Sequence, residues 1–585
     1  MPDKSSLKSN IFKDLYALSK FASPLRKFQF CMLLIIIVLA SASEIFSIGA
    51  IIPFLGVITD PDKIFQIPFF QPFIELMGLS EPQQLLFPVT LGFCIAVLIA
   101  AILRLLMLWV ITRLSFAFGA DISVGIYRST LYQPYEVHCT RNSSEVISGI
   151  ISKCSTVIYG VVIPVLTLMG SIAMMIAILV FLIMLDPKVA FAAFGGFGLI
   201  YSVIMYSTRK RVARDSQRVA VETNLVLKAL QEGLGGIRDV LIDGTQSQYC
   251  DTFRASDLPL RRAQGNNLFI AQAPRYVMEG LGMLLIAIIG YVSAQYSSSF
   301  SGAIPLLGAL ALGAQRALPI LQLSYNSWVN IVASHFTLQD TLELLNQPLP
   351  DYALEENPAP ILFEENLHIK DLDFRYTQET PYIFKNFNLV ISKGSRVGFI
   401  GTTGSGKSTL LDIIMCLLKP DKGSIVIDNT PITPLNARAW QACIAHVPQF
   451  IFLADSTIEE NIAFGIPKNL IDKNRVRMCA KQAQISSFIE GLPNQYRTRV
   501  GEQGFLLSGG QRQRIGIARA IYKKASVIIF DEATSALDMS TENQVMEAVK
   551  LLSKDITVLI VTHRLSSLEG CDQIIDLDKL RIEDS

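Results

Sequence analysis

Two features are missing from this sequence of 585 residues, and each absence excludes a class of protein. The nine cysteines are scattered, with no C-x-x-C pair and no metal-ligand spacing, so we predict neither a disulfide framework nor a metal centre among them. We interpret them as small apolar residues of a membrane segment or a reducing compartment. Basic and acidic residues balance to a net charge of +1, without the basic face or stripe of a nucleic-acid-binding protein. We therefore expect no nucleic acid among its partners.

Apolar residues, by contrast, are abundant. They make up 51% of the chain, and its mean hydropathy is +0.40. Such a chain is too long for one domain and too apolar for a wholly soluble protein. Long apolar runs fill the sequence up to about residue 324, whereas strand-like and helix-like segments alternate after residue 358. The sequence therefore predicts a membrane half followed by a soluble half.

Six apolar stretches are near or above the roughly 20 helical residues that cross a bilayer. They are residues 28–58, 86–111, 147–185, 189–206, 269–292 and 303–323. A cleaved signal peptide is the competing interpretation of the first stretch, because Ala40-Ser41-Ala42 resembles a cleavage site. We reject it because the apolar run resumes at Ile45 and the preceding basic segment is too long. A short helix is expected near residues 72–79.

Loop charge predicts the orientation of these spans. The basic N-terminus and the connections 112–146 and 208–268 are expected in the cytoplasm, and the turns 186–188 and 293–302 outside. Both cytoplasmic connections have helical patterns, so spans two to five should continue below the membrane as unbroken helices.

Arg104, Arg275 and Arg316 fall at membrane depth, where a charge is costly unless it faces water or a partner. We hypothesise that these three arginines line a water-filled path and contact an anionic group of the substrate. The alternative is pairing or snorkelling, since Glu279 lies four residues after Arg275 on one helix face. Glu44 is a further acid at this depth.

A proline-rich stretch separates the halves. We predict an all-α membrane domain with six spanning helices over residues 1–345, a linker over 346–360 and an α/β domain over 361–585. Strand-like runs at residues 361–363, 367–376 and 388–391 open the soluble domain.

Residues 397–409 read Val-Gly-Phe-Ile-Gly-Thr-Thr-Gly-Ser-Gly-Lys-Ser-Thr, and an apolar helical pattern follows over 410–418. This strand, glycine-rich turn and helix match the P-loop (Walker A) pattern, whose backbone N–H groups surround phosphates. Lys407 is expected to reach the β- and γ-phosphates, and the Ser408 hydroxyl to bind Mg²⁺. The predicted ATP-binding residues of the loop are Gly401, Thr402, Thr403, Gly404, Ser405, Gly406, Lys407, Ser408 and Thr409.

Two further apolar strands end in polar residues. The first, 527–530, precedes Asp531 and Glu532, which we assign to Mg²⁺ binding and to activation of the attacking water. The second, 556–561, precedes His563, which either hydrogen-bonds the γ-phosphate or is structural. A second glycine-rich helix N-terminus, without a lysine, precedes the helix pattern 512–523 and is interpreted as a phosphate clamp. It comprises Leu507, Ser508, Gly509, Gly510 and Gln511.

These motifs together resemble the nucleotide-binding domain of ATP-binding cassette (ABC) transporters. The resemblance adds a Q-loop at 447–449, identifies 507–511 as the signature and 535–538 as the D-loop, and covers residues 357–580. It implies that Tyr376 stacks on adenine, that Gln449 contacts Mg²⁺ and the water, and that Asp538 reaches a partner copy. Glu502 matches the exporter-type loop before the signature. The implied cofactors are ATP and Mg²⁺.

The membrane half resembles an exporter half-transporter. Segments 134–137 and 232–239 resemble its coupling helices, and segments 43–55 and 316–319 resemble the lipid-linked oligosaccharide flippases. In this family ATP lies between the Walker A of one copy and the signature of the other, so one chain cannot complete a site. We expect a homodimer in the cytoplasmic (inner) membrane that exports or flips a lipid-linked oligosaccharide. The alternatives are an exporter of lipids, drugs or peptides, and a membrane-anchored regulatory ATPase without cargo.

Overall fold

The computed structural model describes residues 11–59, 61–68, 71–140, 147, 149–185, 187–296, 303–350, 358–532, 540, 542–544, 547, 555–562, 564 and 568–582. The chain divides into two compact units. The first comprises residues 1–133 and 140–349, and the second residues 134–139 and 350–585. The division at 349/350 lies inside the predicted linker, but the short segment 134–139 belongs to the second unit although the sequence places it in the membrane domain.

The first unit is helical throughout its described part. Its α-helices are Ile11–Lys20, Pro24–Gly49, Ile51–Thr59, Pro61–Phe65, Gln71–Met77, Leu86–Leu131, Cys154–Val157, Ile163–Leu185, Pro187–Gly235, Ile237–Ile242, Gln246–Tyr296, Ala303–Ala333 and His335–Leu345. A 3₁₀ turn covers Pro82–Leu85, and π-helical turns cover Gly149–Lys153 and Ile158–Val162. The helix Gln71–Met77 stands where the sequence predicts a short helix near residues 72–79.

Three helical segments of the described residues are long and apolar enough to cross a membrane, namely Pro24–Thr59, Pro82–Leu131 and Gly149–Phe181. They overlap the first three predicted spans. The other three predicted spans lie on the helices Pro187–Gly235, Gln246–Tyr296 and Ala303–Ala333. Helices of 46, 49 and 51 residues reach roughly 70 Å or more at 1.5 Å per residue, about twice the hydrocarbon thickness. They therefore continue well beyond the bilayer.

The second unit contains two sheets. One is antiparallel, with strands β1 (Asn366–Phe374), β2 (Phe384–Ser392), β4 (Lys422–Ile427) and β5 (Thr430–Pro431) in the order β2-β1-β4-β5. The other is parallel, with β3 (Arg396–Ile400), β6 (Ile444–Val447), β7 (Val527–Asp531), β8 (Thr557–Val561) and β9 (Gln573–Asp576) in the order β6-β7-β8-β3-β9. The predicted strand over 361–363 is wrong, because the Ile361 N–H donates to the Ala439 carbonyl and joins neither sheet.

The helices of this unit are Tyr135–Thr140, Lys407–Ile414, Ala437–Ala442, Ile458–Ile462, Lys473–Gln482, Ser486–Glu490, Gly509–Tyr522 and Leu577–Ile582. The helix Lys407–Ile414 is held in place by burial of Leu410, Leu411, Ile413 and Ile414 in a core shared with both sheets. Each such side chain contributes about 1.5–3 kcal/mol when fully buried. The Trp440 indole donates to the Ile414 carbonyl at 2.8 Å and closes the end of this helix.

The parallel sheet determines the position of the candidate site. Strands β7, β8, β3 and β9 are hydrogen-bonded neighbours and run in the same direction, so their carboxyl ends meet at one edge. The residues that follow these strands are Glu532, Thr562, Gly401 and Leu577. Residues from four distant parts of the chain therefore converge at this edge.

Candidate nucleotide site

The turn after β3 depends on its glycines. Gly404 and Gly406 have φ angles of +87° and +98°, in the left-handed region that favours glycine. Gly406 caps the helix that begins at Lys407, and a Cβ there would lie 2.7 Å from Ile383 Cγ2. The local sequence therefore folds as predicted, with a tight loop leading into a helix N-terminus.

Two side chains inside the loop are suited to hold phosphate. Lys407 is buried, and its Nζ donates to the Gly401 carbonyl at 2.8 Å and to the Thr402 carbonyl at 2.9 Å. The Ser405 hydroxyl is buried and has no hydrogen-bond partner among the described atoms. An unpartnered buried hydroxyl costs about 1–3 kcal/mol. A phosphate oxygen would relieve this cost, so the loop residues fit the group that the sequence predicts.

The Ser408 side chain lies close to the Asp531 carboxylate at the end of β7. Burial and then the Glu532 charge raise the pKa of Asp531, while Lys407 and Ser408 oppose the rise. Burial, with a further contribution from Asp531, raises the pKa of Asp412 on the loop helix to about 6. The site thus concentrates carboxylates that a cation would stabilise.

Mg²⁺ prefers oxygen ligands and is usually held by one or two carboxylates together with phosphate oxygens. The Ser408 hydroxyl and the Asp531 carboxylate form such a donor set. No group of three or more histidine, cysteine, aspartate or glutamate side chains in the described part of the chain has metal-site geometry. A cation here would therefore need phosphate oxygens to complete its coordination.

Glu532 stands directly beyond β7 with a φ of +48°, in the left-handed region that a side chain rarely adopts. Its N–H donates to the Val561 carbonyl at 2.9 Å, which ties the turn to the end of β8. The Gln449 amide, two residues after β6, donates to Glu532 Oε2 at 2.8 Å. The structure thus joins the predicted base to the Q-loop glutamine across 83 residues of sequence.

The signature forms the N-terminus of the helix Gly509–Tyr522. Ser508 Oγ accepts from the Gln511 N–H at 3.3 Å, and Gln511 Oε1 accepts from the Ser508 N–H at 2.8 Å. This reciprocal capping box satisfies the first turn locally, and Gly509 and Gly510 are the first two residues of the helix.

Tyr376 follows β1 and is 59% exposed. Its hydroxyl pairs with Thr409 Oγ1 at 3.0 Å, so the ring stands beside the phosphate-loop helix. Tyr135, on the helix Tyr135–Thr140, lies within electrostatic reach of Tyr376 and Asp412. A hydrogen bond to Cys139 and burial raise the pKa of Tyr135 to about 12.

Two predicted residues, His563 and Asp538, lie outside the described residues. One polar residue of this edge was missed by the sequence reasoning. Asp578 accepts from both the N–H and the hydroxyl of Thr402, at 2.6 and 2.9 Å. The available signal was an acid just beyond the short apolar run Ile574-Ile575.

Two of the three arginines predicted at membrane depth have partners in the first unit. Arg104 Nε lies 3.5 Å from Glu44, whose side chain is 1% exposed, and Arg275 Nε lies 2.8 Å from Glu279. Arg275 and Glu279 also line a cavity of about 420 Å³ with residues of the helix Ala303–Ala333. The side chain of Arg316 lies outside the described part. Pairing, the alternative considered from the sequence, is thus present at Arg104 and Arg275.

Comparison with known proteins agrees with this architecture. Residues 384–535 match the family model "ABC transporter", and residues 28–312 match "ABC transporter transmembrane region". The chain is 33% identical over 461 residues to the ATP-dependent lipid A-core flippase of Saccharophagus degradans, covering 78% of this chain and 76% of that protein. It is 30% identical over 395 residues to the flippase of the same description from Alkalilimnicola ehrlichii, covering 66% and 65%.

A bacterial Atm1-family ABC exporter, solved with ATP bound, has the same fold. Its TM-score to this chain is 0.78 at 19% identity, and the match covers 96% of this chain and 98% of that one. Fold and motifs define a membrane exporter driven by ATP hydrolysis. The chain belongs to the ABC transporter family. It is a multi-pass membrane protein with a cytoplasmic nucleotide-binding domain, and it couples ATP hydrolysis to export of an amphipathic substrate.

Proposed function

We propose that two copies of this chain flip a phosphate-bearing glycolipid across the inner membrane, using two ATP sites at their shared interface. The hydrogen bond between Gln449 and Glu532 carries the chemical part of the proposal. It places a carboxylate beside the end of β7, held by an amide that can also meet the attacking water.

The residues predicted to handle ATP have separate roles in this proposal. Lys407 and the loop N–H groups hold the phosphates, and Ser405 donates its buried hydroxyl to them. Ser408, Asp531 and Gln449 would hold Mg²⁺, which offsets phosphate charge when bound. Glu532 accepts the proton of the attacking water, His563 donates to the γ-phosphate, and Tyr376 stacks on adenine.

The dimer follows from the inventory of motifs. The sequence has one phosphate loop and one signature, and ATP in this family needs both from different copies. Ser508, Gly509, Gly510 and Gln511 would therefore contact the ATP held by the partner, and Asp538 would contact the partner chain. ATP that binds the closed pair preferentially shifts the membrane helices between access states.

The substrate class rests on charge and on similarity. Arg275 lines a cavity between membrane helices, where a guanidinium pairs well with a phosphate. Arg104 and Arg316 would contribute along the same path, which requires Arg104 to exchange Glu44 for the cargo. The similar flippases are described as carrying lipid A-core, and we extend this chemistry to glycolipids that carry phosphate. Lipid-linked oligosaccharide is our first candidate.

The test is translocation in proteoliposomes that contain fluorescent lipid-linked oligosaccharide, lipid A-core or a matched glycolipid without phosphate. We expect ATP-dependent flipping of at least one phosphate-bearing lipid and little of the neutral one. Glu532→Gln should lower phosphate release by roughly a hundredfold or more while ATP still binds, because only the base is removed. Glu490→Gln, at an exposed position of the same domain, is the matched control.

Each negative outcome has a separate meaning. Equal flipping of the neutral lipid would reject the phosphate requirement. ATP hydrolysis without translocation or stimulation by any lipid would favour the regulatory ATPase. Wild-type turnover by Glu532→Gln would reject the assignment of the base.

A further inference from the structure

Asp578 stands at the mouth of the phosphate loop although it is 176 residues away from it in sequence. Strand β9 pairs in parallel with β3, and Asp576 lies opposite Ile400. The residues after the two strands therefore come together. The carboxylate of Asp578 accepts from the Thr402 N–H at 2.6 Å and from Thr402 Oγ1 at 2.9 Å.

The peptide between Gly401 and Thr402 is held on both sides. Its carbonyl accepts from Lys407 Nζ at 2.8 Å, and its N–H donates to Asp578. Gly401 has a φ of +152°. Because glycine has no side chain to restrict its backbone, the orientation of this peptide depends on these two hydrogen bonds. When Lys407 turns to bind phosphate it leaves the carbonyl, so Asp578 becomes the remaining anchor of that peptide.

From this contact we propose that Asp578 is a positioning residue that fixes the first peptide of the phosphate loop and so prepares the loop for nucleotide. The inference rests on the proposed nucleotide site. It is unexpected on charge alone, because a carboxylate close to bound phosphates repels them. Loss of the hydrogen bonds to Thr402 should therefore weaken nucleotide binding, whereas loss of the negative charge should strengthen it.

Two substitutions separate these effects. Asp578→Ala removes both hydrogen bonds and the charge. Asp578→Asn removes the charge but can keep both contacts, since its Oδ1 accepts from the Thr402 N–H while its NH₂ donates to the hydroxyl. If Asp578 positions the loop, the alanine variant should bind nucleotide weakly. The asparagine variant should bind it about as tightly as wild type does.

Asp572→Ala is the matched control. Asp572 Oδ2 accepts from the Arg396 N–H at 2.8 Å, so it makes the same kind of contact between β3 and β9 at the opposite end of the strands. Asp572→Ala therefore removes a comparable hydrogen bond and leaves the contacts of the phosphate loop unchanged.

The experiment uses the full chain in nanodiscs. Affinity for a fluorescent ATP analogue is measured without hydrolysis, and amide hydrogen exchange is followed in the nucleotide-free protein. For Asp578→Ala we expect roughly tenfold weaker binding, a raised KM for MgATP with kcat within about twofold, and faster exchange in the peptide containing Thr402. Asp578→Asn and Asp572→Ala should bind as wild type does and keep this peptide protected.

The remaining outcomes overturn the inference. Tighter binding by both Asp578 variants would show that charge repulsion dominates. Unchanged binding and exchange in Asp578→Ala would show that the contact has no role in the loop, and equal loss in Asp572→Ala would show a general stability effect. If wild type itself bound no nucleotide, or if Lys407→Ala bound it as well as wild type, the proposed site would fail instead.

Discussion

At the scale of single residues, the nucleotide site contains groups that are costly without a ligand. Lys407 is buried against carbonyls, Ser405 is buried without a described partner, and burial raises the pKa of Asp531. Such unfavourable features are expected where a ligand completes the structure. Removal of such a group should therefore stabilise the nucleotide-free protein, or leave its stability unchanged, and should weaken nucleotide binding.

Ser405→Ala tests that opposition. Removal of an unpartnered buried hydroxyl should leave the melting temperature of the nucleotide-free protein unchanged or slightly raised. The rise in melting temperature caused by MgATP should shrink, because one phosphate contact is lost. Thermal unfolding with and without MgATP measures both, and Ser395→Ala, at a hydroxyl that bonds the Ser392 carbonyl before β3, is the control.

A clear fall in the melting temperature of nucleotide-free Ser405→Ala would contradict this prediction. An unchanged response to MgATP would remove Ser405 from the phosphate site.

At the scale of elements, the helix Tyr135–Thr140 connects two parts of the sequence. It follows the long helix Leu86–Leu131, yet residues 134–139 belong to the nucleotide-binding unit. Its Tyr135 lies near Asp412, on the phosphate-loop helix, and near Tyr376, beside that helix. We infer that this helix transmits nucleotide state to the membrane helix that precedes it.

Tyr135→Ala should therefore uncouple the two activities. Loss of the ring removes the side chain that approaches Tyr376 and Asp412. Stimulation of ATP hydrolysis by cargo should therefore disappear while basal hydrolysis persists within about twofold. Phosphate release is measured in proteoliposomes with and without lipid substrate. Tyr135→Phe keeps the ring and should keep the stimulation, whereas full stimulation in the alanine variant would contradict the role of this helix.

At the scale of the whole molecule, the question is which copies supply each ATP site. A chain with Lys407→Ala has a damaged phosphate loop, and a chain with Ser508→Arg has a damaged signature. If sites form between copies, the mixed dimer keeps one intact site. That site combines the unchanged phosphate loop of the Ser508→Arg chain with the unchanged signature of the Lys407→Ala chain. If each site formed within one chain, both would be damaged.

We expect the mixed dimer to hydrolyse ATP at about half the wild-type rate or less, clearly above either homodimer. Differently tagged chains are co-expressed, purified through both tags and assayed for phosphate release. A dimer of wild type with the doubly changed chain is the control and should be inactive. The reverse pattern would place each site within one chain, and full activity of a monomer would reject the dimer.

Patterns of neighbouring residues were sufficient to predict much of the secondary structure and the division into two halves. Apolar runs predicted the membrane half, glycines with an adjacent lysine predicted the loop before Lys407–Ile414, and buried apolar runs predicted β7 and β8. The strand predicted at 361–363 was wrong because its backbone bonds to residue 439 and not to a sheet. Short apolar runs do not reveal their pairing partners.

Tertiary structure alone decided which distant groups meet. The strand order brings β9 beside β3, where Asp578 meets Thr402, and β6 beside β7, where Gln449 meets Glu532. Packing of two helices of the first unit pairs Arg104 with Glu44. Sequence patterns report helix and strand formation because that depends on neighbouring residues. Strand order and side-chain partners depend on how remote segments pack, so only the folded chain shows them.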